Sequence, residues 1–355
     1  MSFRRPGAAA FLLLILALAC SAARADAAAD FYRGKVISLI VGYGPGGGYD
    51  LFARMMARYL GKYIPGNPSI VVQSMPGAGS LRATNFLYNV AARNGLTIGT
   101  IGRDMPLLAI LGTNAGAQFD LRKLTWLGSS SDFSKDAYIL MVRKDAPVKS
   151  IEEARRAGGP PLVLGATGEG STGTDVPILL RDTLGLNIKL VTGYPDNGAI
   201  FLAIDRGEVN GRTVDLSSVR ALKPEWLGPG SDMRSLVQFA RATRHPDFAD
   251  VPTARELARN DKARALIEFA ELAYKMSRPF VAPPNVPADR AKALQAAFLA
   301  VHRDPQYLEE AAKFRIEVSP IGGDEVLQAI EQMAAAPPDI LEQMRRLFTG
   351  SKSGG

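Results

Sequence analysis

The feature that most limits what this chain can fold into is a recurring order of apolar strand, glycine-rich turn and amphipathic helix. "VISLIVGYG" (36–44) runs through "GPGGGYD" into "DLFARMMARYLGKYI" (50–64), where Leu51, Phe52, Met55, Met56, Tyr59 and Leu60 share one helical face. "SIVVQS" (69–74), "PGAGS" and "LRATNFLYNVAARNG" (81–95) repeat the order, with Gly95 where a left-handed C-cap is wanted. "LTIGTIG" (96–102) is a third strand. A second series opens with "PLVLGATGEGSTGTD" (161–175) and continues through "NIKLVTGYP", "NGAIFLAIDRGE" and "GRTVDL". Repeated strand–helix–strand units predict an α/β architecture with parallel-type sheets flanked by helices.

The N-terminus bears on where the chain works. Arg4 and Arg5, a 13-residue apolar run ending at Cys20, and Ala23-Arg24-Ala25 form the three parts of an export signal. The run is short for a membrane-spanning helix, which needs roughly 20 residues. Cleavage after Ala25 leaves a chain starting at Asp26, and periplasmic localisation is expected. Cys20 is the only cysteine, so the exported chain has neither disulfide nor thiol chemistry.

About 330 residues then remain, more than one core usually serves, so two lobes are expected. The assignment is residues 1–25 signal, 26–125 with 272–355 lobe one, 126–271 lobe two, and 350–355 a disordered tail. The chain crosses between lobes near 125–140 and 241–280, as a hinge requires. The C-terminal helices, including "ADRAKALQAAFLAVHRD" (288–304), are expected to pack back on lobe one. Removing three signal arginines leaves 39 basic against 35 acidic residues, a net +4 that weakly suits an anionic partner. No basic run interleaved with aromatics argues for nucleic acid.

What the first glycine turn holds can be narrowed. Gly42, Gly44 and Gly47 fit G-x-G-x-x-G, but the next strand ends "VVQSMPG" without the acid a dinucleotide ribose needs. A phosphate loop needs Lys after its last glycine, and Tyr49 follows Gly48. A carboxylate remains. Turns after adjacent parallel strands lie side by side, each leading into a helix whose first N–H groups are unused and partly positive. Two such ends aimed at one point hold a carboxylate, and glycine lets the backbone approach it. Tight helix–strand packing is the alternative use of these glycines.

These residues carry a resemblance. "VGYGPGGGYDLFAR", "VVQSMPGAGSLRATNFLYNVA", "VPTARELA" and "RPFVAPPNVPADRAKALQAAF" resemble the Bug/TctC family, solute receptors of tripartite tricarboxylate transporters, from about Phe31 to Gly323. The resemblance implies a type II periplasmic binding protein fold, two lobes closing in Venus-flytrap fashion on a small carboxylate. It implies membrane permease subunits as partners, a monomer, and no cofactor. It assigns one carboxylate, held partly through water, to Gly46, Gly47, Gly48, Tyr49, Gly79 and Ser80. Selectivity falls to Gly170, Ser171, Thr172, Tyr194 and Asp196. Three departures stand out: Tyr49 where the family commonly has a small residue, Thr174 at a usual histidine, and "YPD" for Tyr-Lys-Gly. They fall at the distal end of the ligand, which stays unidentified among organic acids.

Several other residues carry two readings each. Asp50 suits the helix dipole better than an anionic ligand. Arg103 either pairs a distal carboxylate or sits at the surface beside Asp104, and Arg212 faces the same choice against Asp215. Tyr43 and Tyr194 line the cleft or fill a core edge. His245 and His302, the only histidines, lie 57 positions apart with no cysteine near, so no metal site is expected, and His302 is expected at the surface. No G-x-S-x-G or other nucleophile–base pattern occurs, so no catalytic residue and no enzyme is expected. The rival readings are a ligand-binding sensor and, less favoured, an exported hydrolase.

Overall fold

The computed structural model describes residues 27–132 and 136–350. The expected export signal, its cleavage site and the tail beyond Gly350 lie outside these residues. Among the described residues no helix is long and apolar enough to cross a membrane.

Two sheets organise the chain. The first runs in the order β11 (Ile321–Gly322), β4 (Thr125–Ser129), β10 (Pro279–Ala282), β3 (Thr97–Thr100), β1 (Val36–Val41), β2 (Ser69–Ser74). The second runs β7 (Ile188–Val191), β6 (Leu162–Gly165), β8 (Gly211–Asp215), β5 (Tyr138–Arg143), β9 (Met233–Phe239). The α/β expectation holds, but the sheets are mixed rather than parallel. β1 pairs parallel with β2 and β3, and β6 with β7 and β8. β10 runs antiparallel to β3 and β4, and β5 antiparallel to β8 and β9. The reason is topological. β10 enters the first sheet on the return from the second, and β5 enters the second on the way out, so neither follows a crossover helix of its own sheet.

Helix Gly48–Tyr63 buries Phe52, Ala53, Met55, Met56 and Leu60 and packs on β1 and β2. Each such Phe, Met or Leu contributes about 1.5–3 kcal/mol of apolar burial. That packing fixes the helix axis, and so the direction of its N-terminus. Helix Thr172–Leu184 does the same in the second sheet, burying Val176, Ile178, Leu179, Leu180 and Leu184. Helix Ala288–Val301 returns to the first sheet, as the sequence suggests, and packs on Gly48–Tyr63 and β4. The final helix, Pro338–Gly350, packs on Thr172–Leu184 and on Met105–Leu111, touching elements of both halves.

The chain passes between the sheets from Ser129 to Tyr138 and from Phe239 to Pro279. The two passages are stitched together. Ser130 N–H donates to the Arg278 carbonyl at 3.0 Å and Ser277 N–H to the Ser131 carbonyl at 3.0 Å. Arg278 N–H donates to Ser129 Oγ at 3.0 Å. Paired short segments of this kind form a hinge axis, and the cleft lies above it.

One expectation is corrected here. His302 is buried, not at the surface: it ends the helix Ala288–Val301, packs between Phe298 and Tyr307, and bonds through Nδ1 to the Phe298 carbonyl at 2.7 Å. Periodicity could not show that this helix end turns inward.

Candidate functional site

The cleft between the sheets is nearly shut, leaving a cavity of about 30 Å3. Room for a single water needs roughly 10–15 Å3 on such a measure, so only a few atoms fit without lobe movement.

Its lobe-one wall is the first glycine turn. Tyr43, Gly47, Gly48 and Tyr49 line it. Gly47 caps the helix Gly48–Tyr63 without any side-chain bond, so the first helical amides depend on solvent or a ligand. Tyr43 and Tyr49 stack with centroids 4.4 Å apart. Tyr43 donates to the Gly79 carbonyl at 3.3 Å, and Tyr49 Oη accepts from Arg103 N–H at 3.1 Å. Burial holds the Tyr43 phenol well above its ordinary range, so it remains a donor.

The lobe-two wall gathers two turns and two strands. Thr167, Ser171, Thr172 and Gly173 come from the turn after β6, Asp196 and Asn197 from the turn after β7, Arg212 and Asp215 from β8, and Tyr138 from β5. Ser171 caps Thr172–Leu184 through backbone only. Its hydroxyl donates to the Gly168 carbonyl at 2.6 Å and accepts from Thr167 Oγ1 at 2.7 Å. Asp196 instead caps Asn197–Asp205 with its carboxylate, accepting from Ala199 N–H at 2.9 Å.

Arg103 and Arg212 line this space, Arg278 pairs with Asp215 of its lining, and all three are buried. Arg278 is satisfied by Asp215 at 2.7 Å. Against the opposing effect of burial, Arg278 and then Arg103 hold the Asp215 carboxyl below its ordinary range, so this pair is ionic. Arg103 donates from Nε to the Ser277 carbonyl at 2.9 Å and from Nη1 to Thr172 Oγ1 at 3.4 Å, beneath the Tyr49 ring. Thr172 in turn donates to Asp104. Burial pushes the Asp104 carboxyl up to about 6, with Arg103 and Thr172 holding it back. Arg103 is therefore an interior bridge between lobes, and the surface reading does not apply. Arg212 donates from Nε to the Thr213 carbonyl at 3.0 Å, while its Nη1 has no hydrogen-bond partner. Asp215 is thus paired with Arg278, and Asp104 is protonated only below about pH 6.

Of the residues picked from sequence, Tyr43, Gly47, Gly48, Tyr49, Arg103, Ser171, Thr172 and Asp196 line the cleft together. Gly46 stands at its rim, its N–H donating to Asp50 Oδ2 at 2.9 Å; Asp50 also pairs Arg54 at 2.8 Å. Ser80 lies behind the wall, its Oγ accepting from Gly102 N–H at 3.0 Å. Gly79 faces the opposite lobe's turn at Glu169 and Ser171. Gly170 and Thr174 line a separate cavity of about 390 Å3 with Leu107, Ile178 and Phe348. Tyr194 packs with Val163 and Val191 on the core around Ile200. Tyr138, Thr167, Gly173, Asn197 and Asp215 line the cleft without having been singled out as ligand contacts. Their signal was position alone: Tyr138 begins a strand, Asp215 ends one, and Thr167, Gly173 and Asn197 follow strands.

Among the described residues no group of three His, Cys, Asp or Glu is placed to hold a metal. His245 caps a short turn by accepting from Asp247 N–H, and neither histidine lines the cleft.

No protein-family model matches the chain. Over 333 residues it is 24% identical to the UPF0065 protein in the gbd 5′ region of Cupriavidus necator, covering 92% of this chain and 93% of that one. Among solved structures it is similar to the periplasmic binding protein BugD, with TM-score 0.71 and 16% identity over 89% of this chain and 98% of that one. An R. palustris protein with adipate gives TM-score 0.68 and 20% identity over 88% and 97%. MatC from Rhodopseudomonas palustris with bound malate gives 0.63 and 18% over 86% and 99%. At these identities the structural matches establish the fold: two mixed sheets flanked by helices, as in periplasmic binding proteins.

Proposed function

Starting from its similarity, over nearly its whole length, to receptors of the Bug/TctC kind, we propose that this chain captures a small carboxylate outside the cytoplasm and delivers it to a membrane permease. The permease would be that of a tripartite tricarboxylate transporter, and the receptor would act as a periplasmic monomer. The observation that carries the reading is the buried Arg212 guanidinium, whose Nη1 makes no hydrogen bond in the cleft lining. Arg103 and Arg212 are each 2% exposed, Asp215 is already committed to Arg278, and two helices begin at the walls without side-chain caps. A buried guanidinium is costly to desolvate, and an anion in the cleft would give Arg212 a favourable partner. Adipate and malate in two structural neighbours are the chemistry such a site suits.

A hydrolase is less well supported. Ser171 Oγ, the one serine hydroxyl lining the cleft among the described residues, bonds Thr167, Gly168 and Thr174 rather than a base. The test is calorimetry of the purified protein with C3 to C6 organic acids. Binding of at least one, with no turnover of ester or amide analogues, supports a receptor; hydrolysis that is lost in Ser171→Ala refutes it.

A further inference from the structure

Arg212 offers more than general positive charge. It projects from β8, and its guanidinium sits 5.5 Å from the Phe201 ring centroid. A Cβ placed on Gly173 would lie 3.5 Å from Nη2. The guanidinium therefore stands over the first turn of Thr172–Leu184, in van der Waals reach of position 173. Burial lowers the guanidinium's affinity for its own proton, with Tyr138 and Asp215 opposing. The nearby carboxylates are occupied: Asp215 by Arg278 and Ser218, Asp196 by the Ala199 amide. Nη1 is buried and makes no hydrogen bond, while the Tyr138 hydroxyl faces the guanidinium in the same lining. A fork-shaped cation above unused helix amides matches a planar carboxylate with two oxygens.

Resting on the reading of the cleft as a carboxylate site, we propose that Arg212 is its specificity-determining residue. It holds a second acidic group against lobe two, while the Gly48–Tyr63 N-terminus holds the first against lobe one. The cavity of about 30 Å3 is too small for a diacid as it stands, so the walls part to admit one. Selection here is by side-chain charge rather than by neutral hydroxyls. A monoacid reaches only one of the two grips.

Calorimetry and thermal melting on wild type, Arg212→Met and Arg212→Lys test this, with succinate, glutarate and adipate as probes. Each is compared with its half-amide and with the unsubstituted monoacid. Wild type should prefer at least one diacid over its half-amide by tenfold or more, about 1.4 kcal/mol. Arg212→Met should erase that preference while leaving half-amide affinity within about threefold, and Arg212→Lys, which lacks the planar fork, should fall between. The ligand-free melting temperature of Arg212→Met should equal or exceed that of wild type, because an unpaired buried cation has gone. A preference retained in Arg212→Met overturns the proposal, as does equal loss of diacid and half-amide binding with a lower ligand-free melting temperature. Wild type that binds monoacids as tightly as diacids overturns the role of Arg212 alone. Wild type that binds no acid overturns the carboxylate reading as well.

Discussion

Gly79 of the second glycine turn faces the Glu169 carbonyl of the opposite lobe so closely that a Cβ on Gly79 would lie 2.6 Å from that oxygen. Gly79 also holds φ at +62°, a region other residues adopt with strain. The same pattern recurs at Gly44, where a Cβ would overlap the Asp196 carboxylate, and at Gly48, where it would overlap Ser218 Oγ. These glycines allow two lobes to close backbone to backbone. Gly79→Val should therefore hold the lobes apart and weaken every accepted acid together, by tenfold or more. Calorimetry with a panel of acids, joined to small-angle scattering for a more open particle, checks both halves.

Asp196 is a helix cap as well as a cleft residue. Asp196→Ala should lower stability by about 1 kcal/mol, and Asp196→Asn should restore most of it, since asparagine caps equally well. Urea unfolding monitored in the second lobe, for example by Trp226 fluorescence, reads this directly. The sequence reading makes Asp196 a selector, for which the same variant should reorder acid preferences. Measuring both quantities separates capping from selection.

The strand–turn–helix order was legible because periodicity and glycine placement are local properties. Strand direction was not. The β5 segment "AYILMVRKDAP" reads as strand-like and the β10 segment "RPFVAPPNVP" as an extended return, but whether each runs with or against its neighbour depends on where the chain crosses between sheets. The glycine turns were legible as places of close backbone approach. What approaches was not, because Pro195, Glu169 and Ser218 come from a different part of the chain. Arg103 and Arg212 were visible as candidates, but a lone arginine at a strand end reads the same whether solvated or buried. Only the packing of Tyr49, Tyr138 and Tyr274 around Arg103 decides for burial.

Asp104 should make binding pH-dependent. Its carboxyl, raised by burial to about 6, is neutral below that pH and anionic above it. Arg103, Thr172 and the neighbouring Asp175 are the groups that face it. Ionisation beside the cleft opposes an anionic ligand, so affinity should fall as pH rises from 5 to 7. The same titration on Asp104→Asn should be flatter, and the difference between the two curves removes the ligand's own ionisation.

His302 should set part of the acid limit of stability. Burial lowers its pKa from 6.5 to about 4, so the folded state binds its proton less readily than the unfolded chain. The neutral form's contribution is full above pH 6.5 and is lost as pH falls toward 4, on the order of 3 kcal/mol. Glu271 acts in the opposite sense. Burial raises it to about 7, with Arg255 resisting, so its contribution is full below 4.5 and lost as pH rises through 7. Comparing urea midpoints of wild type and His302→Gln at pH 4.5 and 7 isolates the histidine: the variant should lose less stability on acidification.

The most direct test of an anion-binding receptor is a thermal-shift comparison of organic acids with their own amides, matched in size and shape. At 100 times its dissociation constant a ligand stabilises by about 2.7 kcal/mol, which shifts melting by several degrees in a chain of this size. Buried Arg103 and Arg212 and the uncapped helix starts at Gly48 and Thr172 predict that at least one acid raises the melting temperature and that its amide does not. Equal shifts for acid and amide, or shifts with amides alone, would contradict a cleft built to recognise negative charge.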